Sequence, residues 1–333
     1  MVRLKKINQL QGFPALEREV MSLLVVMLVN LDPLALVRSL PGAFAQGLIW
    51  GIVGLGVYVT FKVLDIADLT IDGTLALGGA TAVMCILGGM PPWLALIIAT
   101  LTGCGAGLLT GFFHTVLGIP DILAGILSQI ALYSINLNIM GRSNQAVSVD
   151  KYNLILSLRH IPKAVVVSVI FIAVIMIVVY AFMGTEFGCA LRSTGCNQNM
   201  SRAQGVNTNM AIVVGLVISN ALVGLAGGLL AQYQGNEDVN MGRGAIVIGL
   251  AAVIIGLVLG ESIFGKRLNF MGRMAFVVIG AIIYYLVITV VLWLGLPSDD
   301  MKLFSAIVVA VFLAVPYLLG KKKASFKKAG KQA

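Results

Sequence analysis

Along the chain, apolar runs alternate with short polar gaps: 21–38, 41–63, 73–90, 92–117, 120–140, 163–183, 211–233, 243–260, 274–296 and 302–319. A helix rises about 1.5 Å per residue, so roughly 20 apolar residues cross the ~30 Å hydrocarbon core of a bilayer. The pattern therefore predicts an all-α polytopic membrane protein of ten spans, within one of that count. The first run is the weakest, because Asp32 and Pro33 interrupt it. Proline and paired polar residues mark the turns at Pro91-Pro92, Pro120-Asp121 and Pro297-Ser298-Asp299-Asp300. The opening twenty residues mix Arg3, Lys5 and Lys6 with Glu17 and Glu19 and lack an apolar core after the basic cluster, which does not read as a signal peptide.

Composition sharpens this picture. Of 333 residues, 59% are hydrophobic and 11% charged, against roughly a quarter charged in soluble domains, so a soluble protein is excluded. The net charge of +9 sits in gaps and tails, where basic residues set topology; nucleic acid is not an expected partner. With the Lys-rich tail in the cytoplasm and the spans alternating, 16 of the 23 Lys and Arg fall inside. Both termini and the gaps 184–210 and 261–273 are then cytoplasmic, and 141–162, 234–242 and 297–301 lie outside. The gap 141–162 fits least well, since it holds Arg142, Lys151 and Arg159. The chain divides into a segment 1–40 with the weak first span, a transmembrane domain 41–320 with the loop 184–210, and a basic tail 321–333. Cys85, Cys104, Cys189 and Cys196 match neither a metal pair nor a disulfide framework and read as structural or incidental.

Two separated stretches echo one another. Residues 70–83, TIDGTLALGGATAV, and 240–253, NMGRGAIVIGLAAV, each lead from a polar, Gly-containing start into a small-residue helix. The assigned topology runs them in opposite directions, and the spans around them pair off likewise, four of those before 163–183 with the four after it, the pattern of an inverted repeat. Gly103, Gly107 and Gly111 share one helix face, and Gly224, Gly227 and Gly228 cluster on a later span. Close helix packing is the first reading of both, and lining a path the second.

Little in the chain looks catalytic. Residues 260–267, GESIFGKR, approach a phosphate-binding loop, but Arg267 stands where a Mg2+-binding hydroxyl is needed and a membrane helix precedes it. His114 and His160 lie far apart, outside any triad or metal motif. Asp65, Asp68 and Asp72 cluster before a helix, where capping is favoured over a cation relay. Gln129, Asn136, Asn138 and Asn220 interrupt apolar spans, either to line a path for a polar solute or to bond helix to helix. The loop 184–210 predicts a short helix over 197–204 between Gly195 and Gly205, with Arg192 and Arg202 available to a partner.

Four blocks together carry a resemblance: 46–80, 111–144, 188–205 (GCALRSTGCNQNMSRAQG) and 219–235 (SNALVGLAGGLLAQYQG). They resemble the permease subunits of ATP-binding-cassette importers of the branched-chain amino-acid and ribose type, and the second block is similar to the subfamily found with binding proteins for aromatic amino acids. The resemblance covers about 40 to 320. It implies a type II importer permease that dimerises, binds no cofactor itself, and is driven by two cytoplasmic ATPase subunits holding ATP and Mg. It makes 184–210 the coupling loop, with Arg192, Gly195, Asn197, Arg202, Ala203 and Gly205 as coupling residues. Arg142, Lys151, Arg159, Glu237, Asp238 and Arg243 become rim charges that steer an extracytoplasmic binding protein. The echo and the amides place Asp72, Gly73, Gln129, Asn136, Asn220, Asn240 and Gly242 along the path. The implied setting is the bacterial inner membrane, and the implied cargo a small polar solute, an amino acid first, with sugars and nucleosides open. The rival reading is an ion-coupled carrier or channel using the aspartate cluster, against which no acidic residue lies at the centre of a strong span.

Overall fold

The computed structural model describes residues 33–149, 151–265 and 268–294, with isolated helical positions between 303 and 314. The fold is built almost wholly from helices. The first, α1 (Pro33–Val57), runs into a π-helical turn, Tyr58–Leu64, followed by α2 (Thr70–Leu87), α3 (Pro92–Thr115) and α4 (Asp121–Met140). A three-residue strand β1 (Asn144–Ala146) and a 3-10 turn (Leu158–His160) lead into α5 (Ile161–Met183). Next come α6 (Glu186–Cys196), α7 (Gln198–Ala203), α8 (Thr208–Gln234), β2 (Asn236–Asp238), α9 (Ala245–Phe264) and α10 (Phe270–Trp293).

Among the described residues, 8 helices are long and apolar enough to cross a membrane, and they coincide with the second to ninth predicted runs. Residues 33–38 of the weak first run belong to α1, whose interior holds Pro41; the rest of that run lies outside the described residues, as does most of 302–319. Helix ends follow local chemistry. Pro91 precedes α3 with Pro92 in its first turn. Gly141 and Gly235 end α4 and α8 at φ 67° and 71°, a left-handed conformation glycine adopts without steric cost. Asn207 caps α8, its side-chain oxygen accepting the Met210 N–H at 3.1 Å.

Packing bears out the inverted echo. α1 packs chiefly on α10 and α8 chiefly on α3; α2 packs on α3 and α8, and α9 on α10 and α1. Exchanging α1, α2 and α3 for α8, α9 and α10 maps this set of contacts onto itself. α1 with its π-helical turn is the centre of the bundle, 89% buried over its apolar window, whereas the α5 span is 22% buried. That outer helix presents Val166, Ile170, Val174 and Ile177 to the surroundings, a face suited to lipid.

The glycine rows make the close crossings. A Cβ at Gly107 would lie 2.6 Å from the Leu216 carbonyl oxygen, and one at Gly224 2.6 Å from that of Ala99, so α3 and α8 meet backbone to backbone. Gly227 and Gly228 face α2 and α3. These glycines pack helices; none lines an open path. All four cysteines are free thiols, and residues 260–264 of the near phosphate-loop sequence simply continue α9.

Candidate functional site

The two echoing segments meet. Asp72, in the first turn of α2, accepts the Gly244 N–H on Oδ2 and the Ile246 N–H on Oδ1, both at 2.9 Å. A carboxylate thereby caps the N-terminus of α9, where unsatisfied N–H groups and the helix dipole favour negative charge. Capping was the expected role of the aspartates, but Asp72 caps a helix from the other half of the chain. Gly242 makes the approach possible: a Cβ there would overlap the Asp72 carbonyl. Asp65 is exposed, in the left-handed conformation at φ 58° that ends the π-helical turn.

Asp68 is buried and organises a polar network. Its Oδ1 accepts the Thr70 N–H at 3.0 Å and its Oδ2 the Asn220 Nδ2 at 2.6 Å, while Thr74 donates to Asn220 Oδ1 at 2.6 Å. Burial pushes its carboxyl above the usual carboxylate range, opposed by the hydrogen bonds from Thr70 and Asn220. Beside it the hydroxyls of Thr70, Thr110 and Ser128 chain together at 2.6 and 2.8 Å. The network joins α2, α3, α4 and α8, so Asn220 bonds helix to helix.

Next to the crossing of α2 and α9 lies a cavity of about 350 Å³. Asp72, Gly73, Gln129 and Asn136, four of the predicted path residues, line it together with Tyr133, Ser134 and Arg243. Asn136 is buried; its Nδ2 donates to the Gly73 carbonyl at 3.3 Å, and its Oδ1 has no partner. The guanidinium of Arg243 lies over the Tyr133 ring, 6.0 Å from its centroid. Asn220, Asn240 and Gly242 are not among the described lining residues: Asn220 serves Asp68, Gly242 abuts Asp72, and Asn240 forms a turn, its N–H donating to Asp238 Oδ1 at 2.7 Å. Tyr133 was missed from sequence, although 129, 133 and 136 are spaced i, i+4, i+7 on one helical face.

The predicted rim charges divide. Arg142, Lys151 and Arg159 are exposed, Lys151 over the Tyr152 ring at 5.6 Å. Arg243 is exposed as well and also lines the cavity. Glu237 is 0% exposed, which corrects its assignment as a rim charge: β2 pairs with β1, Gln145 opposite Glu237, and Glu237 points into the protein against Gly79, where a Cβ would overlap its carboxylate. Neither Glu237 oxygen has a hydrogen-bond partner. Burial, then the charge of Asp238, pushes its carboxyl well above the usual range.

At the opposite end, α6 and α7 fill the loop 184–210. The predicted short helix appears as α7, capped by Asn197, whose Oδ1 accepts the Met200 N–H at 3.0 Å; the longer α6 was not predicted. Gly195 abuts the backbone of Val63 and Leu64, fastening α6 to the π-helical turn. Arg192 folds back, donating from Nη2 to the Met183 carbonyl at 3.0 Å. Arg202 donates from Nε to Thr208 Oγ1 at 2.6 Å, tying α7 to α8. Ala203 is exposed, Gly205 turns the chain at φ 84°, and Met200 is 59% exposed on α7.

Residues 40–316 match the family described as the branched-chain amino acid transport system permease component, so the chain belongs to that family. It is a multi-pass membrane protein and a transport subunit, not an enzyme. The chain is similar to a tyrosine transport system permease protein of Clostridioides difficile, with 37% identity over 85% of this chain and 93% of the relative. It is also similar to a probable branched-chain amino acid transport permease protein of Methanocaldococcus jannaschii, with 28% identity over 65% and 73% of the two chains. A ribose import permease protein of Haemophilus influenzae is 24% identical over 90% and 91%. No solved structure matches the chain.

Proposed function

We propose that this permease carries an amino acid, aromatic ones included, through an importer of the bacterial inner membrane with both of its termini in the cytoplasm. It works as a homodimer, the working unit being the transmembrane domain 41–320. Two ATPase subunits holding ATP and Mg on their own chains drive it, and an extracytoplasmic binding protein delivers the cargo. The observation that carries the reading is the polar cavity where the two repeat starts meet, in a chain of this permease family. On this reading α6 and α7 receive the ATPase, with Met200 and the exposed face of α7 as the contact; Arg192, Gly195, Asn197 and Arg202 hold that element in place. Asp72, Gly73, Gln129 and Asn136 line the way through, and Arg142, Lys151 and Arg159 with the β1–β2 ribbon meet the binding protein. ATP-driven movement of the coupling elements would switch the path between its two openings by rigid-body gating.

The test is purification of the chain from solubilised membranes of its own host, followed by reconstitution of the complex and uptake of labelled tyrosine, leucine and ribose. An ATPase that co-elutes, with ATP-dependent uptake of an amino acid but not of ribose, is the expected result. Ribose uptake alone would overturn the substrate class, and uptake driven by an ion gradient without an ATPase would overturn the importer reading.

A further inference from the structure

The cavity is charged in an unequal way. Its carboxylate, Asp72, has both oxygens engaged by the N-terminal N–H groups of α9. Among the described residues no carboxylate pairs with the Arg243 guanidinium, which rests on the Tyr133 ring at 6.0 Å. A cation on an aromatic face keeps its N–H donors free at the edges, and arginine presents them in a fork that matches a carboxylate. Asn136, 1% exposed, sits in the cavity wall with its Oδ1 buried and without a partner, which keeps that wall polar at a cost. The half-buried Gln129 amide lies one helical turn from Tyr133. The volume of about 350 Å³ falls in the roughly 300–1,000 Å³ range of small-molecule sites.

We infer that the permease itself holds a transient subsite for a free amino acid, the carboxylate on Arg243, the ammonium on the half-buried Gln129 amide, and an aromatic or apolar side chain along Tyr133. The inference rests on the amino-acid reading above and deepens it, because it places recognition of the cargo's backbone groups in this chain. The site is weak by construction. Arg243 is exposed, so solvent competes for its donors, and conduction needs a site that releases what it binds.

The test is saturation-transfer NMR on the full chain in lipid nanodiscs, with L-tyrosine and with tyramine, which lacks the carboxylate. Wild type should transfer saturation to the L-tyrosine ring and at least five-fold less to tyramine. Arg243→Gln should lose most of the L-tyrosine signal and Arg243→Lys should keep a substantial part. Because Arg243 lies outside the packed core, Arg243→Gln should elute and melt as wild type does. Gln129→Leu, a change at a half-buried position, supplies a second reading and should also weaken the L-tyrosine signal. Equal signals from the two probes, equal signals from wild type and Arg243→Gln, or no transfer to wild type would each overturn the subsite. The importer reading stands or falls separately, on ATPase co-elution and uptake by the reconstituted complex.

Discussion

Asn220 Nδ2 donates to Asp68 Oδ2 at 2.6 Å, across 152 positions of sequence and between the two repeats. Both residues are buried, and Asn220 also donates to the Leu216 carbonyl at 3.0 Å. Asn220→Leu removes the donor to the carboxyl and strands Thr74, at an expected cost of about 1.5–3 kcal/mol. The thermal midpoint of the purified chain should fall by several degrees; an unchanged midpoint would show that the network contributes nothing to stability.

Glu237 should make the protein less stable as pH rises. Its carboxyl is pushed up by burial and by Asp238, whereas in the unfolded chain a glutamate ionises near about 4.3. Between those two values the folded state keeps a proton that the unfolded state has released, so stability declines across that interval. Glu237→Gln carries no charge at any pH. Its melting curve should match wild type near about pH 4 and lie above it near about pH 8. Equal midpoints at the higher pH would show that the ionised form is accommodated without cost.

How much of this was legible follows from the physics of each residue. Span length and hydropathy are properties of the chain alone, and α2 to α5 and α8 to α10 lie where the runs predict them. The meeting of α2 with α9 was half visible, because the echo marks equivalent segments but carries no distance. Glu237 and Arg243 were assigned together as rim charges from their place in a polar gap. A gap residue can point in or out, and what buries Glu237 is the β1–β2 pairing plus the missing side chain of Gly79, neither of which sequence spacing encodes. Tyr133 was not singled out because a lone tyrosine in an apolar span marks no site; only its i, i+4, i+7 spacing with Gln129 and Asn136 could have pointed to it.

The α3 and α8 crossing should be intolerant of side chains. A Cβ at Gly107 would sit 2.6 Å from the Leu216 oxygen, so even Gly107→Ala must push two backbones apart, costing about 1–3 kcal/mol. Gly105, on the open face of the same helix, has no atom within 4 Å of its added Cβ. Gly105→Ala should therefore leave the midpoint unchanged or raise it slightly, given the helix preference for alanine. A fluorescence-detected melting series of the two variants checks the contrast, and equal behaviour would refute the crossing.

On α7, Met200→Glu should abolish ATPase co-elution while leaving the fold intact, since the side chain is 59% exposed and surface changes of this kind usually cost within about 0.5 kcal/mol. Arg192→Glu is the less informative variant. It removes the hydrogen bond to the Met183 carbonyl and sets a negative charge near the C-terminus of α5, which the helix dipole opposes. Loss of partner binding with that variant alone would report a distorted junction. Retention of the ATPase by Met200→Glu would move the contact off α7.

The exchanged packing of the repeats also fixes what can move. α1 leans on α10 and α3 on α8, so the first and third helices of each repeat find their principal neighbours in the other repeat, as warp does in weft. The main core draws on both halves. Severed between α4 and α6 and produced as two pieces, the protein should assemble only when both pieces are made together, and either piece by itself should be degraded. A transport stroke that pulled one half from the other would open this shared core, so the interlock favours tilting of the subunit as one body.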